Sequence, residues 1–250
     1  MLNVTSYLAR IGYTGSTAAT ADTLRAIHRA HLLNVPFENL DIARGTKIPC
    51  EEDAFLSKIV DHRRGGFCYE MNGAFAALLR GLEFEVTLLS ARVPREDGTE
   101  TPEFDHMTLR VDLDQPWLAD VGFGDCFLEP LRLQTEEEQV QDGERFRIRE
   151  EKNSFYVERS GPDGSWKGEY TFSIVPRRLE EFAPMCHYHQ TSPQSPFTRK
   201  RICSKATSEG RITLADRKLI ITRRGHREEK LLESEEAWQA ALQKYFQIVL

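Results

Sequence analysis

Arg64-Gly65-Gly66-Phe67-Cys68-Tyr69-Glu70-Met71-Asn72 puts a cysteine where a diglycine turn gives way to a helix. From Cys68 onward, Met71, Phe75, Leu78 and Leu79 recur at helical spacing, and Gly81 supplies a stop signal. A helix N-terminus offers unpaired backbone N–H groups and the positive end of the macrodipole, which favour a thiolate over a thiol. The glycines predict a flexible turn that leaves the sulfur approachable from one side. The competing reading is inert core filler, the usual state of a free cysteine. A base, itself held by an orienting acceptor, decides between the two.

Seven histidines are available as that base. His28 and His31 lie on an amphipathic helix expected over residues 23–33, His62 lies among charges, His187 and His189 crowd together, and His226 sits in a basic turn. His106 differs: it opens His106-Met107-Thr108-Leu109-Arg110-Val111-Asp112-Leu113, a period-two strand with Met107, Leu109, Val111 and Leu113 on one face. His106 falls on the other face at the strand's first position, where it can project into a cleft. The next strand, Trp117-Leu118-Ala119-Asp120-Val121, carries a carboxylate just before the turn Gly122-Phe123-Gly124. Asp120 is flanked by Ala119 and Val121, so it is expected to be partly buried, which is costly unless something pairs with it. An imidazolium on the neighbouring strand would do so; the alternative is a turn-capping aspartate. Asp105 is a second candidate acceptor, but neighbours on a strand point to opposite faces, which ranks Asp120 first.

In order and spacing these blocks resemble the arylamine N-acetyltransferase family. The matching pieces are Val35-Pro36-Phe37-Glu38-Asn39-Leu40, Lys58-Ile59-Val60 with the Cys68 stretch, Ala91-Arg92-Val93, His106-Met107, Asp120 to Gly124, and Thr191-Ser192-Pro193-Gln194-Ser195-Pro196-Phe197-Thr198. Carried over residue by residue, Cys68 resembles the acyl-accepting nucleophile, His106 its base and Asp120 the group that orients the base. The resemblance implies acetyl-CoA as the acetyl donor, an arylamine, arylhydrazine or N-hydroxyarylamine as acceptor, and a ping-pong route through an acetyl-cysteine. It also implies that Phe37, Phe123 and Phe197 line the acceptor site, that Tyr69 and Val93 border it, and that coenzyme A runs along Gly122 and Gly124. The implied fold is α+β with a cysteine-protease-like Cys-His-Asp core: a helical bundle (residues 1–83), an antiparallel β-barrel (84–190) and an α/β lid (191–250). Glu38 and Arg64, each set among apolar or small neighbours, are expected to pair and fix the Cys68 turn.

Composition is consistent with such an enzyme without naming one. A chain of 250 residues that is 40% hydrophobic can bury a sizeable core. A net charge of −6 with no basic tract argues against a nucleic-acid partner. Five cysteines without framework spacing suit a reducing cytoplasm. Residues 1–9 carry no signal pattern, and no run approaches the roughly 18 apolar residues of a membrane span. The expectation is a cytoplasmic monomer or weak homo-oligomer with no membrane partner.

Helices are expected over 5–11, from 22, over 51–61, from 68, and over 233–246. Strands are expected over 84–89, 108–113, 117–121, 146–148, 155–157, 170–175, 211–214 and 219–222, with another at Ile202. The run Glu136-Glu137-Glu138 reads as a solvated loop. Cys186-His187-Tyr188-His189 offers at most three ligands on adjacent residues, against the four of structural zinc, so no metal is expected. Gln247 stands where the family often carries glycine, which puts the lid's shape in question. A cysteine hydrolase, a transglutaminase-like enzyme or a biosynthetic amide synthase could use the same three residues.

Overall fold

The helix that begins at Cys68 is buried from Cys68 through Leu79, so it is the centre of the molecule rather than a surface helix with one apolar stripe. The computed structural model describes residues 2–135 and 137–250. Glu136 lies outside the described residues; Glu137 and Glu138 are exposed and outside regular elements.

The chain opens with α1 (Val4–Arg10) and α2 (Ala21–Asn34), a two-residue strand β1 (Phe37–Glu38), α3 (Leu40–Ala43) and α4 (Glu52–Leu56). A π-helical turn, Ser57–Asp61, extends α4 before the central helix α5 (Cys68–Gly81). Both long N-terminal helices start at side-chain caps, Asn3 and Thr20, which accept from Ser6 and Thr23 N–H groups. Arg10 is buried and donates to the carbonyls of Asn34, Ile59 and Arg64, tying α1 to the approach to Cys68.

Eight strands follow: β2 (Glu85–Arg92), β3 (His106–Asp112), β4 (Pro116–Ala119), β5 (Leu131–Arg132), β6 (Gln139–Gln141), β7 (Glu144–Glu151), β8 (Ser154–Ser160) and β9 (Trp166–Phe172). They form one antiparallel sheet in the order β5-β4-β3-β2-β9-β8-β7-β6, curled into a nearly closed barrel. Met107, Leu109 and Val111 of β3 are fully buried against the helical core, as their alternation predicts. The barrel has its own core, which includes Leu89, Leu118, Phe146, Val157 and Tyr170.

The rest comprises a 3₁₀ turn (Leu179–Phe182), α6 (Ala183–Thr191), α7 (Pro196–Arg199), strands β10 (Ile202–Thr207), β11 (Gly210–Ala215), β12 (Lys218–Arg223) and β13 (His226–Leu231), and α8 (Glu235–Phe246). The last sheet runs β1-β10-β11-β12-β13, and α8 covers it through Trp238, Ala241, Leu242 and Phe246. The fold is therefore α+β with a nearly closed antiparallel barrel and helices, and three details stand out. α6 is a helix inside the span assigned to the barrel, and it straddles residue 190. Phe182 and Cys186 pack into the helical core rather than the barrel. β1, from the N-terminal part, pairs with β10 of the C-terminal sheet, Phe37 opposite Ser204 and Glu38 opposite Cys203. Gln247 caps α8 in the left-handed conformation at φ 59°, which explains why glycine suits that position.

Candidate active site

Three segments converge on the N-terminus of α5. The first turn of that helix is closed by Glu70, whose Oε2 accepts the Phe67 N–H at 3.1 Å. The diglycine before it is not a flexible opening. Gly65 and Gly66 are buried, and a Cβ on Gly65 would sit 1.8 Å from the Pro36 carbonyl oxygen. These glycines allow the Pro36-Phe37 backbone to close against the turn, where Glu38 N–H donates to the Gly66 carbonyl.

The Glu38–Arg64 pair is present, with Arg64 Nε and Nη2 at 2.9 and 2.7 Å from Glu38 Oε1. It belongs to a larger buried cluster. Lys58 Nζ, carried on the π-helical turn, lies 2.8 Å from both Asp41 Oδ2 and Glu70 Oε1, and Arg64 also reaches Asp41. Three carboxylates thus share two cations behind the Cys68 turn. Burial raises the Glu70 pKa to about 7, with Lys58 opposing and Glu38 reinforcing the shift. Nothing local to Lys58, Asp41 or Glu70 marks them as members.

Cys68 is 4% exposed, and its Sγ lies 4.0 Å from the Asp105 carbonyl oxygen. Burial pushes its thiol well above the usual range, and the charges of Asp105 and Asp120 add to that. The backbone N–H groups of Met107 and Tyr69 act in the opposite direction. Burial and the two carboxylates thus work against the helix terminus at this sulfur.

His106 and Asp120 meet diagonally, since the β3–β4 register pairs Leu109 with Ala119 and Asp120 follows the end of β4. His106 Nε2 lies 2.6 Å from Asp120 Oδ2, and both residues are buried. Asp120 Oδ1 accepts from Asn72 Nδ2 and from the Gly122 N–H, each at 2.9 Å. Burial opposes the charge on Asp120, but His106, Asn72 and Gly122 together hold its carboxyl below the usual range. With Nε2 engaged, Nδ1 is the His106 nitrogen left for proton transfer. Asp105 turns to His189 instead, 3.2 Å away.

Two supporting residues escaped the sequence reading. Asn72, one helical turn beyond Cys68, also donates to the Met107 carbonyl and accepts from Val121 N–H. His28 accepts the Asp120 backbone N–H at Nε2 and donates from Nδ1 to the Leu128 carbonyl. Burial lowers its pKa to about 4, so it stays neutral as that double role needs. The four-residue spacing from Cys68 was the only available signal for Asn72. His28 looked like any histidine on a buried helix face.

Aromatic side chains flank the site. Phe123 packs edge-on to His106 with centroids 5.2 Å apart, and Tyr170 lies at the same distance on another side. Phe37 and Phe197 lie 6.1 Å apart, with Phe67 beneath Phe197. Val93 and Phe123 are both half-buried on the barrel core. Tyr69 is fully buried and its hydroxyl donates to the Phe104 carbonyl at 2.7 Å, so it backs the site rather than facing it. The two turn glycines also separate. A Cβ on Gly122 would lie 2.7 Å from Asn72 Nδ2 and 2.9 Å from the Cys68 backbone, so packing against α5 accounts for it. Gly124 adopts φ +96°, and a Cβ there would lie 3.7 Å from the Phe37 ring, an ordinary contact distance. Cys186 and His189 of the His/Cys-rich segment are engaged by Gln190 and Ser195. Among the described residues no three His, Cys, Asp or Glu side chains are grouped to hold a metal ion.

Residues 20–250 match the family model described as N-acetyltransferase. The chain is 31% identical to an arylamine N-acetyltransferase of Escherichia coli over 244 residues, covering 96% of this chain and 86% of that one. It belongs to the arylamine N-acetyltransferase family. A Mycolicibacterium smegmatis member is 35% identical over 231 residues, 90% of this chain and 84% of that one. The structure of the Mycobacterium marinum arylamine N-acetyltransferase in complex with CoA superimposes with a TM-score of 0.90 at 33% identity, covering 98% of this chain and 93% of that one. The protein is thus an acyltransferase of a family that acts on arylamines. Among its described residues no helix is long and apolar enough to cross a membrane.

Proposed function

We propose that this arylamine N-acetyltransferase moves an acetyl group from acetyl-CoA to Cys68 and then to an arylamine, arylhydrazine or N-hydroxyarylamine. The observation that carries this reading is the buried His106–Asp120 pair at 2.6 Å, set at the helix end that bears Cys68. His106 Nδ1 takes the thiol proton, and the imidazolium is stabilised by Asp120 through Nε2. The sulfur attacks the donor thioester; its bond to the carbonyl carbon forms as the bond to the coenzyme A sulfur breaks. The departing sulfur collects the proton from His106. In the second half an acceptor amine attacks acetyl-Cys68, His106 removes the amine proton, and Cys68 leaves as the thiolate. Exchange between thioesters is close to isoenergetic, so positioning supplies most of the advantage.

The acetyl-enzyme must survive until an amine arrives, which calls for walls that exclude water. Phe37, Phe123 and Phe197 are assigned to that wall, Val93 to its border and Tyr69 to its support. The donor is assigned to the turn from Gly122 to Gly124. Gly124, with space over Phe37, is the point of close approach, and Gly122 sets the turn against α5. A relative solved with CoA supports the donor class. The enzyme is taken to work in the cytoplasm as a monomer or weak homo-oligomer.

Acetyl-CoA alone should add one acetyl mass to the protein, and Cys68→Ala should abolish it. That step should release one equivalent of coenzyme A thiol, and an aromatic amine should then discharge the acetyl group and regenerate the free Cys68 thiol. Peptide mapping that found the acetyl group on Cys50, Cys126, Cys186 or Cys203 would overturn the assignment.

A further inference from the structure

Asp105 and His189, 84 positions apart in the chain, meet beside Cys68. Asp105 precedes β3; its carbonyl oxygen accepts the Tyr69 hydroxyl at 3.1 Å and lies 4.0 Å from the Cys68 sulfur. Its carboxylate is turned toward α6, where Oδ1 lies 3.2 Å from His189 Nε2. His189 is 2% exposed, and its Nδ1 lies 3.0 Å from the hydroxyl of Ser195, which is fully buried. Ser195 Oγ in turn accepts the Phe197 N–H at 3.2 Å as the cap of α7. The His189 ring meets the Phe197 ring edge-on at 5.1 Å.

Hydrogen-bond accounting fixes the tautomer. Among the described residues His189 Nδ1 is the acceptor available to the Ser195 hydroxyl proton, so that proton goes to Nδ1, which leaves the ring proton on Nε2. A lone pair on Nε2 facing a carboxylate at 3.2 Å would be repulsive, so the contact needs that proton as well. The Nε2–H is not aimed well enough to bond Oδ1, so the contact is a polar N–H held against a charge. The Asp105 charge opposes a thiolate on Cys68.

We propose that His189 is a positioning residue for acyl transfer: it holds the Asp105 carboxylate away from the Cys68 sulfur and ties it through Ser195 to the Phe197 wall. This rests on Cys68 as the acyl carrier. Cys68 is faced by Asp105 just before β3, Asp120 after β4, Tyr69 on its own helix and Cys186 from α6, with His106 at the start of β3 as its proposed base. His189 is faced by Asp105, Tyr69, Ser195 and its own neighbour Tyr188.

The test is the pH dependence of iodoacetamide alkylation at Cys68. This requires no acyl donor, so it reports on His189 even if acetyl-CoA fails to label the enzyme. His189→Leu releases the carboxylate, and alkylation at neutral pH should fall about three- to tenfold, a shift of half to one pH unit. Removing the charge as well, in Asp105→Asn/His189→Leu, should restore the wild-type profile or move it to lower pH. His189→Gln, which keeps an N–H donor, should recover the loss. If His189→Leu does not fold, His189→Gln and Asp105→Asn carry the comparison, with profiles at or below the wild-type pH. A His189→Leu profile that superimposes on wild type would overturn the proposal. So would a double variant displaced as far as the single one, or a folded His189→Gln or Asp105→Asn displaced to higher pH.

Discussion

Asn72 donates to Asp120 Oδ1 at 2.9 Å from one helical turn beyond Cys68, so the helix that carries the sulfur also carries the clamp on the carboxylate. Residues four apart share a helix face, which is why one amide can reach the site from below while Cys68 opens it. The same amide bonds the Met107 carbonyl on β3 and the Val121 N–H after β4. One side chain thereby ties the helix that bears Cys68 to β3 and to the turn after β4.

Neutralising the orienting carboxylate should leave binding nearly intact and slow acylation. Asp120→Asn is expected to cut single-turnover acetylation of Cys68 by orders of magnitude, and Asp105→Asn to leave it near wild type. Asn72→Leu removes a hydrogen bond to a charged group, about 1.5–3 kcal/mol, or roughly ten- to hundredfold if it falls wholly on the transition state. Rapid-quench mass spectrometry on variants that melt cooperatively near wild type decides this. A folded Asp120→Asn enzyme that acetylates normally beside a dead Asp105→Asn enzyme would reassign the acid to Asp105.

Glu70 gives a stability signature with a definite sign. Its folded pKa is raised from 4.5 to about 7, so between those values the native state binds more protons than the unfolded chain. Stability from this group therefore falls as pH rises from about 4.5 to 7, the reverse of a salt-bridged carboxylate with a depressed pKa. Glu70→Gln keeps an acceptor for the Phe67 N–H and removes the titration. The melting temperature of Glu70→Gln minus that of wild type should climb across pH 4.5–7 and level off above it. A difference that stays flat or declines across that window would mean that Lys58 holds Glu70 ionised throughout.

Sequence reading found the start of α5, β3 and β4 because each leaves a local mark: a periodic apolar face with a turn at its end. β13 (His226–Leu231) left none, since all six of its residues are exposed and no face alternates. α6 was missed because Met185-Cys186-His187-Tyr188-His189 carries no apolar stripe; burial of Cys186 and His189 is imposed by the chain packed over them. The Glu38–Arg64 pair could be guessed from small and apolar neighbours. Lys58, Asp41 and Glu70 could not, because their partners come from separate segments. The same holds for Tyr170, which reaches His106 only through barrel closure.

Gln247 tests the departure from the family's glycine. A non-glycine residue at φ 59° is strained, and glycine at such a helix terminus relieves it. Gln247→Gly should stabilise the protein by about 0.5–1 kcal/mol, or roughly 1–4 °C in melting temperature for a chain of this size. Calorimetry showing no change or a loss would mean that contacts made by the Gln247 side chain outweigh the backbone strain.

In the proposed mechanism the chemistry of Cys68 turns on His106. Burial and the nearby carboxylates disfavour an isolated thiolate at Cys68, and two backbone N–H groups compensate only in part. A thiolate formed here must therefore be half of a pair with the His106 imidazolium, whose other nitrogen is already committed to Asp120. Wild-type Cys68 is expected to react with iodoacetamide well below the ordinary thiol pKa of about 8.5. His106→Gln can still donate to Asp120 but carries no charge, so the low-pH limb should vanish and the midpoint should move above that of a free cysteine. A midpoint below 8.5 in the folded variant would show that the helix terminus alone stabilises the thiolate, and the base would then have to be sought elsewhere.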